Sequence, residues 1–149
     1  MREGWLDTPA ASGSCQCGAV RFSVTPGPAK STVCHCRMCQ RATGNAFAPL
    51  LEVPNTRATI TGPLATFASS TLAERGFCPT CGTPLFYRTI AGDTVEFMAG
   101  SLAPPFRFHP YDNSGTESRV RWLAGLGALP DRVTRLPAPL HSHQTPEPD

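Results

Sequence analysis

The residues best able to do chemistry in this chain are its seven cysteines, which fall in three tight groups. Cys15-Gln16-Cys17-Gly18 is a C-x-C-G, Cys34-His35-Cys36-Arg37-Met38-Cys39 a C-x-C-x-x-C, and Cys78-Pro79-Thr80-Cys81-Gly82 a C-P-x-C-G. A C-x-x-C turn curls the backbone so that both sulfurs converge on one cation. The glycine that follows accepts backbone angles a β-branched residue resists. In a C-x-C the two cysteines share one face of an extended segment. An odd count excludes a complete set of internal disulfides. The segment Met1 to Ser14 has no apolar stretch of signal-peptide length, and no run approaches the ~20 apolar residues of a membrane span. The expectation is a cytoplasmic chain with reduced thiols, where clustered cysteines bind metal or react.

The grouping divides the sulfurs unequally. Cys15, Cys17, Cys78 and Cys81 supply four thiolates, the number that closes a structural zinc site. The other readings of these four are buried free thiols or a disulfide. Cys34, Cys36 and Cys39 supply three, and three protein ligands with an open position is the pattern of a catalytic metal. A histidine closing this second site is the competing reading. His35 lies between two of the cysteines, where an extended backbone points it away from them; His109 could reach back from far along the chain. Spacing alone leaves the open and closed forms level. Two zinc ions with different tasks are therefore expected. Arg37 and Arg41 lie close enough to offset negative charge at the second site or to grip a carboxylate in bidentate fashion, and are equally readable as solvated surface residues.

These groups need a scaffold. The chain has 149 residues, one domain with tails. Its 13 glycines and 16 prolines disfavour a helical bundle. Alternation over 19–24, an apolar run over 46–53, short segments over 57–61, 64–69 and 72–77, and a hairpin of 84–89 with 94–98 across Ala91-Gly92-Asp93 predict a mostly β domain. Residues 37–43 predict one or two helical turns stopped by Gly44, and 117–126 another short helix. Residues 1–13 read as a loose lead-in on which Trp5 and Leu6 could still dock, 14–129 as the zinc-binding domain, and 130–149 as a proline-rich flexible tail. Phe47, Phe77 and Trp122 read as packing residues. The net charge of +2 and the absence of a lysine-rich stretch weigh against a nucleic-acid partner.

The order S-C-Q-C-G-A-V-R-F, V-C-H-C-R-M-C-Q-R-A-T-G and F-C-P-T-C-G-T-P-L-F resembles the glutathione-dependent formaldehyde-activating enzyme family, which includes centromere protein V. The resemblance spans about Ser14 to Trp122. It implies a β-rich fold of several coiled antiparallel sheets, of β-tent type. It matches Cys15, Cys17, Cys78 and Cys81 to structural zinc ligands, and Cys34, Cys36 and Cys39 to a catalytic zinc site. It implies a carbon–sulfur lyase that handles a thiol–aldehyde adduct, such as S-hydroxymethylglutathione made from glutathione and formaldehyde. A substrate thiol held as thiolate would add to the aldehyde carbon. The implied partner is a small-molecule thiol. The alternatives are a non-catalytic zinc-binding interaction module and a zinc–thiol redox sensor.

Overall fold

The computed structural model describes residues 2–147. Among the described residues eleven strands form two sheets, and one short α-helix lies against the larger. The strands are β1 (Leu6–Thr8), β2 (Ala11–Ser14), β3 (Arg21–Val24), β4 (Gly27–Cys34), β5 (Ala48–Pro54), β6 (Ala58–Thr61), β7 (Ala65–Ala68), β8 (Ala73–Phe77), β9 (Pro84–Thr89), β10 (Thr94–Met98) and β11 (Asp112–Ser114). The helix, α1, is Arg37–Thr43, the span its sequence predicts. Gly44 ends it in the left-handed conformation at φ 64° and donates its N–H to the Gln40 carbonyl.

The larger sheet runs β1-β4-β5-β10-β9-β8-β7, with β11 also paired to β4. All of its ladders are antiparallel except β11 with β4. Strand β4 is long enough to divide its free edge. Gly27 to Ala29 pair with β1, and Thr32 to Cys34 with β11. The smaller sheet is β2-β3-β6.

Side-chain alternation gives the larger sheet two different faces. On one face Leu51, Val53, Phe86, Val95 and Phe97 pack with Ala11, Phe22 and Val24 of the smaller sheet. Phe22 stacks on Phe97 with centroids 4.1 Å apart, and Phe86 meets Phe97 edge-on at 6.4 Å. Cys15 and Cys78 are buried in the same cluster. On the other face Ala48, Leu50 and Met98 pack against Cys39, with Cys34 and Cys36 at the margin. The two cysteine groups therefore take opposite sides of one sheet.

Several regions differ from their sequence expectations, which placed no strand over Gly27–Cys34 or Asp112–Ser114. The segment read as a loose lead-in contributes β1 and β2. Residues 116–128 form 3-10 turns at Thr116–Ser118 and Arg121–Ala128 in place of one α-helix. Trp122, read as a packing residue, is 60% exposed. Its turn packs no apolar face inward, because no residue of Arg121–Ala128 is buried. No helix among the described residues is long and apolar enough to cross a membrane.

Candidate metal centres

Cys15 follows β2 directly and Cys78 follows β8 directly. Each opens a small knuckle of the same design. Gly18 N–H donates to the Cys15 carbonyl at 3.0 Å, and Gly82 N–H to the Cys78 carbonyl at 2.9 Å. Both glycines are left-handed, at φ 78° and 76°, which is the backbone freedom the motifs foretell. Gln16 N–H donates to Thr83 Oγ1 at 3.0 Å and ties one knuckle to the other.

Four free sulfurs meet there. Cys15 Sγ lies 3.6 Å from Cys17 Sγ, and Cys17 Sγ lies 3.8 Å from Cys78 Sγ. The ligand atoms of Cys15, Cys17, Cys78 and Cys81 are all within 4.8 Å of one another. A disulfide needs about 2.05 Å. Four sulfurs on a tetrahedral ion at ~2.3 Å stand about 3.8 Å apart. The donor set fits a closed tetrahedral metal site and excludes the disulfide reading. Backbone donors already point at the sulfurs, with Val20 N–H 3.3 Å from Cys15 Sγ. Burial opposes ionisation of Cys81, yet hydrogen bonds from Thr83 and Cys17 bring its thiol down to about 5.

The second group gathers where β4 passes into α1. Cys34 ends the strand, Cys36 caps the helix, and Cys39 sits in its first turn. Cys36 Sγ accepts from Cys39 N–H at 3.3 Å. Their three sulfurs lie within 4.8 Å of one another, and no fourth histidine, cysteine or acidic ligand joins them among the described residues. His35 is buried and points away, with Nε2 2.8 Å from Asn113 Oδ1. His109 is exposed. Gln40 holds the loop by donating to the His35 carbonyl at 2.7 Å and to the Ser118 carbonyl at 2.9 Å. Gly115, at φ 62°, lies so close that a Cβ there would come 2.7 Å from the Cys36 nitrogen.

Arg37 and Arg41 are both exposed. They line a 330 Å³ cleft beside Trp122 on the outer side of α1. Arg37 bonds Gln40 of its own helix. The cation at the sulfurs is Arg75 of β8, which the motifs did not indicate. Its Nη2 lies 3.6 Å from Cys39 Sγ. Burial pushes the Cys39 thiol up to about 12, against the downward pull of that guanidinium. Arg75 is only 8% exposed, its guanidinium carbon sits 5.0 Å from the Tyr87 ring centroid, and its Nη1 has no hydrogen-bond partner.

Sheet register extends this neighbourhood. Arg75 pairs with Tyr87, Tyr87 with Glu96, Glu96 with Glu52, and Glu52 with Lys30. Directly opposed residues project to the same side of a sheet, so these five form one polar row on the face that carries the three sulfurs. Burial, reinforced by Glu52 and eased by Arg75 and Lys30, lifts the Glu96 carboxyl to about 7. At the far end Lys30 Nζ meets Asp112 Oδ2 at 2.7 Å, and that bond holds the Asp112 carboxyl below its usual range.

Comparison with known proteins agrees with this arrangement. Residues 10–117 match the family model described as glutathione-dependent formaldehyde-activating enzyme. A curated relative, an uncharacterized lyase of Schizosaccharomyces pombe, is 28% identical over 90 residues, which cover 60% of this chain and 66% of the relative. The chain thus spans just under two thirds of that relative's length. The crystal structure of a Rhodobacter sphaeroides protein superposes with a TM-score of 0.51 at 19% identity, over 64% of this chain and 90% of the other, a likeness of fold.

Proposed function

Because the chain belongs to the glutathione-dependent formaldehyde-activating enzyme family, we propose that it is a zinc-dependent lyase acting on the adduct of a small thiol with an aldehyde. Glutathione with formaldehyde is the reference pair. The lyase name of the fission-yeast relative supports the reaction class. The observation that carries the reading is the unequal grouping of sulfurs: four gather where Cys15 and Cys78 are buried, while three on the opposite sheet face have no fourth histidine, cysteine or acidic ligand grouped with them among the described residues.

Cys15, Cys17, Cys78 and Cys81 would hold a structural zinc that joins the smaller sheet to the β8–β9 turn. Cys34, Cys36 and Cys39 would hold the second. Zinc there supplies one thing, a substrate sulfur kept ionised near neutral pH, where a free thiol is mostly protonated. The protein's own part is geometric and electrostatic. The β4–α1 junction fixes three sulfurs, and Gln40 pins the intervening loop. Three thiolates on a divalent ion leave net negative charge, which disfavours carbonyl polarisation and favours a nucleophilic fourth sulfur. Arg75 offsets part of that charge from within the sheet.

In the forward direction the thiol sulfur bonds to the aldehyde carbon and the carbonyl oxygen ends as a hydroxyl; the lyase direction reverses both changes. Exchange NMR of glutathione and formaldehyde, with and without the protein and corrected for the unaided addition, tests the reading. Faster exchange with the wild type, lost in Cys36→Ser, is the expected result. Exchange no faster than in buffer would refute the substrate pair.

A further inference from the structure

Arg75 is the structure's most conspicuous unspent donor. An arginine with one nitrogen on a thiol and the other buried and unpartnered carries a desolvation cost that a partner oxygen would relieve. Of its chain neighbours Glu74 is bonded to Arg88 and Gly76 has no side chain, and its register partners are Phe67 on β7 and Tyr87 on β9, over whose ring it lies. The free Nη1 therefore marks a place for an acceptor beside the Cys39 sulfur. Glu96 stands one strand beyond Tyr87 on the same face. Two residues further along β10, Met98 packs against the three-cysteine cluster.

We propose that Arg75 and Glu96 are catalytic residues of this site, Arg75 Nη1 receiving the carbonyl oxygen of the aldehyde and Glu96 carrying the proton between sulfur and oxygen. This deepens the lyase reading and rests on it. The thiol gives its proton to the Glu96 carboxylate. The sulfur electron pair forms the carbon–sulfur bond, and the carbonyl π pair moves onto oxygen, where Arg75 meets the developing charge. The proton held by Glu96 then passes to that oxygen, so no oxidant or reductant enters. The groups facing Glu96 are Glu52 from β5, Lys30 from β4, and Tyr87 and Arg75 from β9 and β8, while Cys36 and Cys39 bear on Tyr87. Burial and Glu52, eased by Arg75 and Lys30, lift the carboxyl to about 7, where a proton carrier works best in both directions.

The test compares wild type, Arg75→Lys and the isosteric Glu96→Gln by exchange NMR from about pH 6 to pH 8, with zinc content measured on each sample. Arg75→Lys keeps the charge near Cys39 and loses the second donor. Each variant should retain its zinc and its KM for the thiol while kcat falls about 10²-fold. Glu96→Gln should also lose the inflection near neutral pH. A readout independent of turnover is the titration of Glu96 followed by carboxyl carbon-13 shifts, which should move upward in Arg75→Gln. Wild-type acceleration with kcat and pH profile unmoved in both variants would overturn these roles and leave the lyase reading standing. A kcat that falls only in step with lost zinc would overturn them equally. A wild type that does not accelerate exchange would remove the reading and these roles together.

Discussion

At the residue scale the sulfurs are not equivalent, and substitution should separate them. Cys78 is fully buried between the two sheets, within 3.8 Å of Cys17 Sγ. A structural zinc contributes on the order of 10 kcal/mol to folding, comparable with the whole stability of a small domain. Cys78→Ser should therefore abolish the cooperative unfolding transition and the β-type circular dichroism. Cys36→Ser, at the margin of the smaller cluster, should keep both and cost less than about 2 kcal/mol in urea unfolding. Equal collapse of the two would show that both groups are scaffold. Glu96 gives a second expectation at this scale. Its folded value of about 7 lies above the 4.5 of a free glutamate, so the folded chain binds more protons than the unfolded one between those limits. Its contribution to stability then falls as pH rises through that window, by about 2 kcal/mol after allowance for partial exposure. Glu96→Gln removes the slope. The stability difference, variant minus wild type, should grow between pH 5 and pH 8 in paired denaturation curves; a constant difference would show that the carboxyl is not held neutral by the fold.

At the element scale, legibility followed how local the signal was. Helix α1 was readable because a short run and its stopping glycine lie together, from Arg37 to Gly44, although its cap, Cys36, was not. The hairpin β9–β10 was readable from alternation and its turn. Strand β2 was not, because Ala-Ser-Gly-Ser looks like a loop. Its smallness has a tertiary cause: a Cβ on Gly13 would lie 2.2 Å from the Ser101 carbonyl oxygen and 2.3 Å from the Phe22 ring. Gly13→Ala should then cost roughly 2–3 kcal/mol by forcing β2 off its neighbours, whereas Gly100→Ala, with open space around it, should be near neutral. Thermal melts of the two variants check this. Likewise the two cysteine groups that the structure gathers could be named from spacing, but Arg75 and Glu96 could not. Each reads locally as an ordinary outward-facing strand residue. Arg75 reaches the Cys39 sulfur, and Glu96 joins its polar row, only when β8, β9 and β10 fall into register, information that no single segment contains.

At the scale of the whole molecule, the larger sheet separates the two sulfur groups. One face is closed by the smaller sheet and the four-sulfur knot, the other carries three sulfurs and a polar row. That division makes the two ends of the chain unequal. The first residues complete both sheets, since Leu6 to Thr8 pair with β4 and Ala11 to Ser14 with β3. Losing them would strip Ala11 from the core and uncover Phe22 beside the Phe97 stack. Among the described residues no strand or helix follows Ala128. From Pro130 to Glu147 the residues are exposed apart from a half-buried Thr145, whose N–H donates to the Gln16 carbonyl at 2.7 Å. One such bond is worth about 1 kcal/mol. A chain ending at Leu129 should therefore fold, bind the same amount of zinc and melt within a few degrees of the full chain, about 2–4 °C. A chain beginning at Ser14 should fail to give a cooperative melt even with zinc supplied. The paired measurement is differential scanning calorimetry with metal analysis. If the tail deletion instead strips zinc from Cys15 and Cys17, Thr145 is a clasp on the knuckle, and the scaffold extends to the end of the chain.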